Sequence, residues 1–201
     1  MLPHRGVTQG KSRLSAVLDQ AQRATLNRWL IEHTLRVVIE ALGDAQQCVL
    51  VSPCTQTLAL ARARGARVFC DQGAGLNGAL GAATHEAASL GSQQVLVVPC
   101  DLPLLDAAAL HAMMGLSTTH NTVIAPDAHE RGTNALLLRI ATASFAFGDD
   151  SFSQHSAQAH TRGDTVAVCR HPSLTFDLDT PGDFYAWRRD HAQAGALLSA
   201  S

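Results

Sequence analysis

The chain has 201 residues, a length that fits a single domain able to bury most of its apolar surface without disulfides or metal staples. Hydrophobic residues make up 46% and charged residues 16%, with a formal net charge of −2, so no basic excess is present to attract nucleic acid or a membrane surface. The five cysteines form no C-x-x-C pair, no apolar stretch approaches the roughly 18 residues of a membrane span, and no signal-peptide core is present, so we expect a cytoplasmic protein.

In chain order, runs with helical spacing alternate with short apolar runs. Helices are predicted over 21–42, 55–64, 76–90 and 106–115, and strands over 47–52, 66–70, 95–99, 122–125, 134–139 and 165–170. A Gly/Asp/Ser-rich loop is predicted over 147–153. The alternation predicts an α/β fold with a mainly parallel sheet, right-handed crossovers and helices on both faces, in which ligands bind at the carboxyl ends of the strands.

The two ends of the chain carry their own expectations. A first strand over 1–4 is two or three residues shorter than a central strand usually is, so a misassigned coding start or missing residues is one hypothesis. Residues from about 191 onward are predicted to form a flexible tail. Neither a repeat nor a linker divides the chain, so 1–201 is predicted to be one domain.

Two acidic segments follow apolar runs. Asp101 ends the buried run 95–98, and Asp177 and Asp179 follow a later apolar stretch. In an extended segment Asp177 and Asp179 point to opposite sides, and we favour Asp179 as the one that faces Asp101. Two carboxylates at one sheet edge need a cation between them, and their oxygens suit Mg²⁺. The alternative is that Asp101 caps a turn and Asp179 caps a helix starting near Pro181.

A basic segment, RGVTQGKSRL, follows the first predicted strand. It carries Arg5, Lys11 and Arg13 on a Gly-containing loop that can wrap phosphates. Gly6 and Gly10 are only four residues apart, so the P-loop spacing is not met. A solvated basic loop is the alternative interpretation.

Two further segments combine glycines with small polar side chains. In DQGAGLNGAL the glycines precede a helix start where a backbone N–H or an Asn amide can bind a nucleotide, although a plain tight turn fits equally. In ERGTNALLL and FGDDSF, hydroxyls and backbone N–H groups are available to a small anion, and turn residues are again the alternative. The ten histidines show no ligand spacing, and most are expected at the surface or in caps.

Taken together, PCDLP, KSRL, GAGLN, GTNALLL, FG-x-x-SF and DLDTP resemble the 2-phospho-L-lactate guanylyltransferase family, which includes members that use phosphoenolpyruvate or 3-phospho-D-glycerate. The match runs from about Pro3 to Phe184. The resemblance implies a three-layer nucleotidyltransferase fold, like that of molybdenum-cofactor guanylyltransferases and sugar-nucleotide pyrophosphorylases. It also implies transfer of GMP from GTP to a three-carbon phospho-acid, with release of pyrophosphate, in coenzyme F-420 biosynthesis.

The resemblance also implies roles for individual residues. Asp101 and Asp179 would hold Mg²⁺, and Lys11, Arg13 and Asp101 would be catalytic. The nucleotide would meet Arg5, Gly73, Gly75, Leu76, Asn77 and Asp101, and the phospho-acid would meet Thr133, Asn134, Gly148 and Ser151. The chain departs from the family pattern in two ways: it has Pro3-His4-Arg5 where the family usually reads Pro-Val-Lys, and its first strand is short. Both departures concern the floor of the pocket more than the metal site.

Several alternatives stay open on the sequence. The same fold could serve another acceptor, such as a molybdopterin or a sugar phosphate. Asp177-Leu178-Asp179-Thr180 spells the D-x-D-x-T signature of haloacid-dehalogenase-type phosphohydrolases, but there the motif follows the first strand. A non-catalytic nucleotide-binding module is a third class, which the presence of both carboxylates disfavours. The identity of the acid is open, and a homodimer is a mild expectation.

Overall fold

The protein is described here from a computed structural model that covers residues 1–7 and 10–190. Its strands are β1 (Leu2–Pro3), β2 (Val49–Ser52), β3 (Arg67–Cys70), β4 (Gln94–Val97), β5 (Thr122–Pro126), β6 (Thr133–Arg139) and β7 (Val166–Val168). Its α-helices are α1 (Gln20–Leu42), α2 (Thr55–Ala63), α3 (Gly75–Ser89), α4 (Ala107–Leu116), α5 (Ser151–Thr161), α6 (Pro172–Thr175) and α7 (Pro181–Asp190). A 3₁₀ helix at Ser12–Ala16 precedes α1. The predicted tail from about residue 191 lies outside the described residues.

The strands form a mainly parallel sheet, as predicted. The segments β1, β2 and β3 pair in parallel, and β5 pairs with β7 in parallel. Met1 connects the two parts of the sheet, because its amine donates to the Leu96 carbonyl (2.6 Å) and its carbonyl accepts from the Val98 N–H (3.0 Å). The resulting strand order is β3-β2-β1-β4-β6-β5-β7.

One strand runs against the others. β6 is antiparallel to both β4 and β5, and its first residue, Thr133, pairs with Pro126 at the end of β5. The start of β6 therefore lies at the same sheet edge as the carboxyl ends of the parallel strands. This direction matters for the site, since it brings Thr133 and Asn134 to that edge.

Helices cover both faces of the sheet. Alternation along β6 sends Leu137 into the core formed with α1, α2 and α4, and sends Leu136 and Leu138 into the core formed with α3 on the other face. Burying one such leucine contributes about 1.5–3 kcal/mol. The three-layer α/β/α architecture predicted from the sequence is confirmed.

A separate apolar cluster joins the 3₁₀ helix and α1 to α7. Leu14 from the 3₁₀ helix and Leu178 pack together with Phe184 and Trp187 from α7. Leu14 is three residues after Lys11, and Leu178 directly precedes Asp179. This cluster therefore holds the basic segment against the second acidic segment.

Among the described residues, none of the helices combines the length and the apolar character that crossing a membrane requires.

Candidate active site

A cleft of about 580 Å³ opens at the carboxyl edge of the sheet. Seven of the predicted site residues line it: Arg5, Lys11, Arg13, Gly75, Leu76, Asp101 and Asp179. The other six lie outside its lining: Gly73, Asn77, Thr133, Asn134, Gly148 and Ser151. A second cavity, of about 480 Å³, lies at the opposite edge beside Val49, Arg67 and Gln94, and holds none of the predicted residues.

The acidic residues Asp101 and Asp179 both form ion pairs with the Lys11 ammonium group. Lys11 Nζ lies 2.7 Å from Asp179 Oδ1 and 3.4 Å from Asp101 Oδ2, and the lysine side chain is only 8% exposed. Burial by itself lowers the pKa of Lys11, but the charges of Asp101 and Asp179 outweigh burial and raise the pKa above its usual value. Arg13 adds a weaker, exposed contact at 4.0 Å from Asp179. A positive charge thus occupies the space between the two predicted metal ligands.

Local hydrogen bonds hold the two segments that carry the carboxylates. The Asp101 carbonyl accepts from the Leu178 N–H (3.0 Å), which joins the loop after β4 to the segment that carries Asp179. The cap of α7 is made by Thr180, whose Oγ1 accepts from the Asp183 N–H while the Asp183 carboxylate accepts from the Thr180 N–H. The alternative that Asp179 caps this helix is therefore wrong, because Thr180 and Asp183 form the cap.

A third carboxyl group, Asp177, lies close to the pair. Burial, followed by the charges of Asp101 and Asp179, raises its pKa to about 6. The nearby Asn134 side chain opposes this rise, and its amide nitrogen donates to the Leu174 carbonyl (2.9 Å). Asn134, predicted as an acceptor-binding residue, therefore lies beside Asp177 at the edge of the acidic cluster.

The acidic cluster has the donor chemistry that Mg²⁺ prefers. Carboxylate oxygens are hard ligands, and Mg²⁺ in nucleotide sites is held by one or two carboxylates together with substrate phosphates. The ammonium held between Asp101 and Asp179 shows that this position favours a cation. Within residues 1–7 and 10–190, no group of three or more His, Cys, Asp or Glu side chains forms an all-protein metal cage. The residues present thus fit a metal that binds with the nucleotide.

The glycine loop before α3 is shaped by Asp71, whose carboxylate accepts from the N–H groups of Gly73 (2.9 Å) and Ala74 (3.1 Å). Gly75, with φ of 71°, adopts a left-handed conformation that a side chain would strain. Leu76 is 41% exposed toward the cleft, where it offers an apolar surface. The backbone at Gly75 therefore lines the cleft, and the nucleotide-binding role of this segment stays a prediction.

Asn77 makes contacts that the sequence did not indicate. Its amide nitrogen donates to the Phe147 carbonyl (3.0 Å), and its amide oxygen accepts from the Phe147 N–H (2.9 Å). Both ends of the amide are thus engaged with protein backbone. Asn77 connects α3 to the loop that carries Gly148.

The remaining predicted acceptor residues are gathered around one histidine. His155 Nδ1 lies 2.9 Å from Thr133 Oγ1, and Nε2 accepts from the Ala146 N–H (3.0 Å). The Ser151 N–H donates to the Gly148 carbonyl (3.3 Å). The structure therefore brings Thr133, Gly148 and Ser151 together.

His155 is a residue that the sequence analysis missed. It is 2% exposed, whereas most histidines were predicted at the surface or in caps. Burial, followed by the charge of Arg162, lowers its pKa to about 4, so the ring is neutral at pH 7. The one available signal was its spacing, four residues after Ser151 on the same helix face.

Comparisons with known proteins show which family this chain is similar to. Residues 1–186 match the family model described as guanylyl transferase CofC like. The chain is 36% identical over 202 residues to the phosphoenolpyruvate guanylyltransferase of Sphaerobacter thermophilus, covering 100% of this chain and 97% of that protein. It is 36% identical over 195 residues to the 3-phospho-D-glycerate guanylyltransferase of Phenylobacterium zucineum, covering 91% and 86% of the two chains.

A solved structure shows the same fold at low sequence identity. A cytidylyltransferase from Leptospira borgpetersenii superposes with a TM-score of 0.61 at 10% identity, covering 99% of this chain and 91% of that one. The fold predicted from the resemblance is thus confirmed, and so is the family. The chain belongs to the CofC-like guanylyl transferase family.

Proposed function

We propose that this protein transfers GMP from GTP to the phosphate of a three-carbon phospho-acid and releases pyrophosphate, as a step of coenzyme F-420 biosynthesis. Phosphoenolpyruvate and 3-phospho-D-glycerate, the substrates in the names of its relatives, are the first candidates, with 2-phospho-L-lactate as the third. The observation that carries the proposal is the pairing of Asp101 and Asp179 on a buried Lys11 ammonium in a cleft at the carboxyl edge.

The reaction requires positioning more than proton transfer. A phosphate oxygen of the acid attacks the α-phosphorus of GTP in line, and the bond to the pyrophosphate oxygen breaks. The attacking phosphate is already an anion at neutral pH, so no general base is needed. What the protein must supply is alignment of two anions and compensation of their charge.

The cations of the cleft fit this task. Lys11 and Arg13 lie where they would neutralise the phosphates and the departing pyrophosphate, and the loss of one such group costs roughly 10²–10³ in rate. When bound, Mg²⁺ would be held by Asp101 and Asp179 and would polarise the α-phosphate. Leu76 and the backbone at Gly75 would line the nucleotide.

The same arrangement supports a site for the acceptor. Thr133, Gly148 and Ser151 form a second group, and Asn134, next to Thr133 on β6, lies beside Asp177 of the acidic cluster. This arrangement favours a small acid whose phosphate reaches the cleft. The phosphohydrolase alternative loses its basis, because Asp177 and Asp179 lie between α6 and α7 and not after the first strand.

The test is pyrophosphate release with GTP and Mg²⁺, with each of the three acids offered separately and the product identified by mass. Asp101→Asn should abolish turnover without unfolding the protein. Asp106→Asn is the matched control, because Asp106 caps α4 by accepting from the Ala109 N–H (2.8 Å), a role that Asn also fills. Substantial activity in Asp101→Asn, or equal loss in both variants, would refute the assignment.

A further inference from the structure

The segments that carry the acceptor-binding residues are joined by His155. The imidazole shares α5 with Ser151, contacts the Thr133 hydroxyl, and bonds to the backbone of Ala146, two residues before Gly148. The Phe147 ring packs against it edge-on, with centroids 4.9 Å apart. This side chain of α5 therefore contacts both other segments, at Thr133 and at Ala146.

The hydrogen bonds assign the protons of the ring. A backbone N–H is always a donor, so Nε2 accepts from Ala146 and carries no proton. In the neutral ring the proton is then on Nδ1, which donates to Thr133 Oγ1. Because this bond uses a lone pair of the Thr133 oxygen, the hydroxyl hydrogen of Thr133 is left to donate elsewhere.

We propose that His155 is a positioning residue for the acceptor, an inference that rests on the proposed function. His155 fixes Thr133 as a hydrogen-bond donor to the anionic phospho-acid and anchors the loop that carries Gly148. It does not touch the reacting atoms. Its neutral Nδ1–H form is what the arrangement requires, since a proton on Nε2 would face the Ala146 N–H and release the loop.

The loop has a second attachment, on the nucleotide side. Asn77 is hydrogen-bonded to both the N–H and the carbonyl of Phe147, so the loop is held between α3 and α5. The segment at Gly148 is thus set relative to the cleft by Asn77 and relative to Thr133 by His155. Removing His155 should disturb the acceptor while α3 stays in place.

The experiment is a double-mutant cycle on the acceptor KM. His155→Leu and Thr133→Val should each raise the KM for the acid about tenfold, the loss of one hydrogen bond to a charged group, while direct GTP binding changes less than about twofold. The double variant should show about the same tenfold rise and not a hundredfold one, because both changes remove one interaction. His160→Leu, at an exposed position of the same helix, is the matched control and should leave the acid KM unchanged.

The outcomes separate this inference from the function on which it rests. Additive effects, or an unchanged acid KM in His155→Leu, would overturn the inference while active wild-type protein upholds the function. Wild-type protein that guanylylates none of the three acids would refute both. Should His155→Leu fail to fold, long-range ¹⁵N NMR of the wild-type imidazole decides: a proton on Nδ1 alone at neutral pH supports the inference, and a proton on Nε2 overturns it.

Discussion

The titration of His155 predicts a specific dependence of stability on pH. Its pKa is about 4 in the folded protein against an ordinary 6.5. Between these values the unfolded chain binds a proton that the native state does not, so the stability that this group contributes is present at neutral pH and is lost as pH falls from about 6.5 to 4. The full difference of roughly 2.5 pKa units corresponds to about 3 kcal/mol.

The wild-type pH dependence alone does not isolate this contribution. The pKa of His4 is also lowered to about 4, by burial and by Lys11, and the pKa of His33 is lowered by burial and by Arg36, so both act in the same direction. The pKa of Asp177 is raised to about 6, so its contribution has the opposite sign: stability is gained as pH falls through the same window. A variant at His155 is therefore compared with wild-type protein at each pH, so that the contributions of the other groups cancel.

The variant is His155→Gln, and its free energy of unfolding is measured in urea at pH 7.5 and at about pH 5. The variant should be less stable than wild type at pH 7.5, and the difference in unfolding free energy should shrink by about 2 kcal/mol at the lower pH, where the unfolded wild-type histidine is protonated. His160→Gln, at an exposed position of the same helix, accounts for the general effect of removing a histidine from α5. A destabilisation by His155→Gln that is equal at both pH values, or larger at pH 5, would contradict the lowered pKa of His155 in the folded protein.

Two further substitutions test the contacts that build the site. Lys11→Met leaves Asp101 and Asp179 without the buried ammonium between them, so we expect a loss of about 1–3 kcal/mol in urea unfolding at neutral pH, and unchanged stability would contradict the ion-pair geometry. Asn77→Ala leaves the N–H and carbonyl of Phe147 unpaired and should cost about 1–3 kcal/mol. Steady-state kinetics of the Asn77 variant should show a higher KM for the acid, whereas a loss confined to GTP affinity would show that Asn77 binds the nucleotide directly.

Much of the fold was predictable because the sheet is buried on both faces. Strands such as Val49–Ser52 and Thr133–Arg139 consist mostly of apolar residues that no helix period explains, and the amphipathic runs between them are recognisable as helices. The acidic segments were also identifiable, since a carboxylate directly after a buried strand has few structural roles. Composition does not encode strand direction, however, so the antiparallel course of β6 could not be predicted.

The helix α5 shows where sequence patterns fail. Its buried positions are Ser151, His155 and Ala159, which are small or polar residues and leave no apolar periodicity to detect. Asp150, at its start, has a φ of 51°, as in a loop. The sequence therefore predicted a loop over 147–153, while the structure has a helix from Ser151. The same lack of apolar signal concealed His155.

Under the proposed function, the direction of β6 would let one sheet edge serve two substrates. In a purely parallel sheet, residues at the start of a strand lie at the edge opposite to the ligand, and Thr133 and Asn134 would be far from Asp101. Because β6 is antiparallel, both residues lie at the carboxyl edge, where Asn134 lies beside Asp177. The attacking phosphate and the α-phosphate must come within bonding distance, so an acceptor site is useful only at that edge. Under the proposed function, the reversed strand is thus the feature of the fold that would allow acceptor and nucleotide to meet.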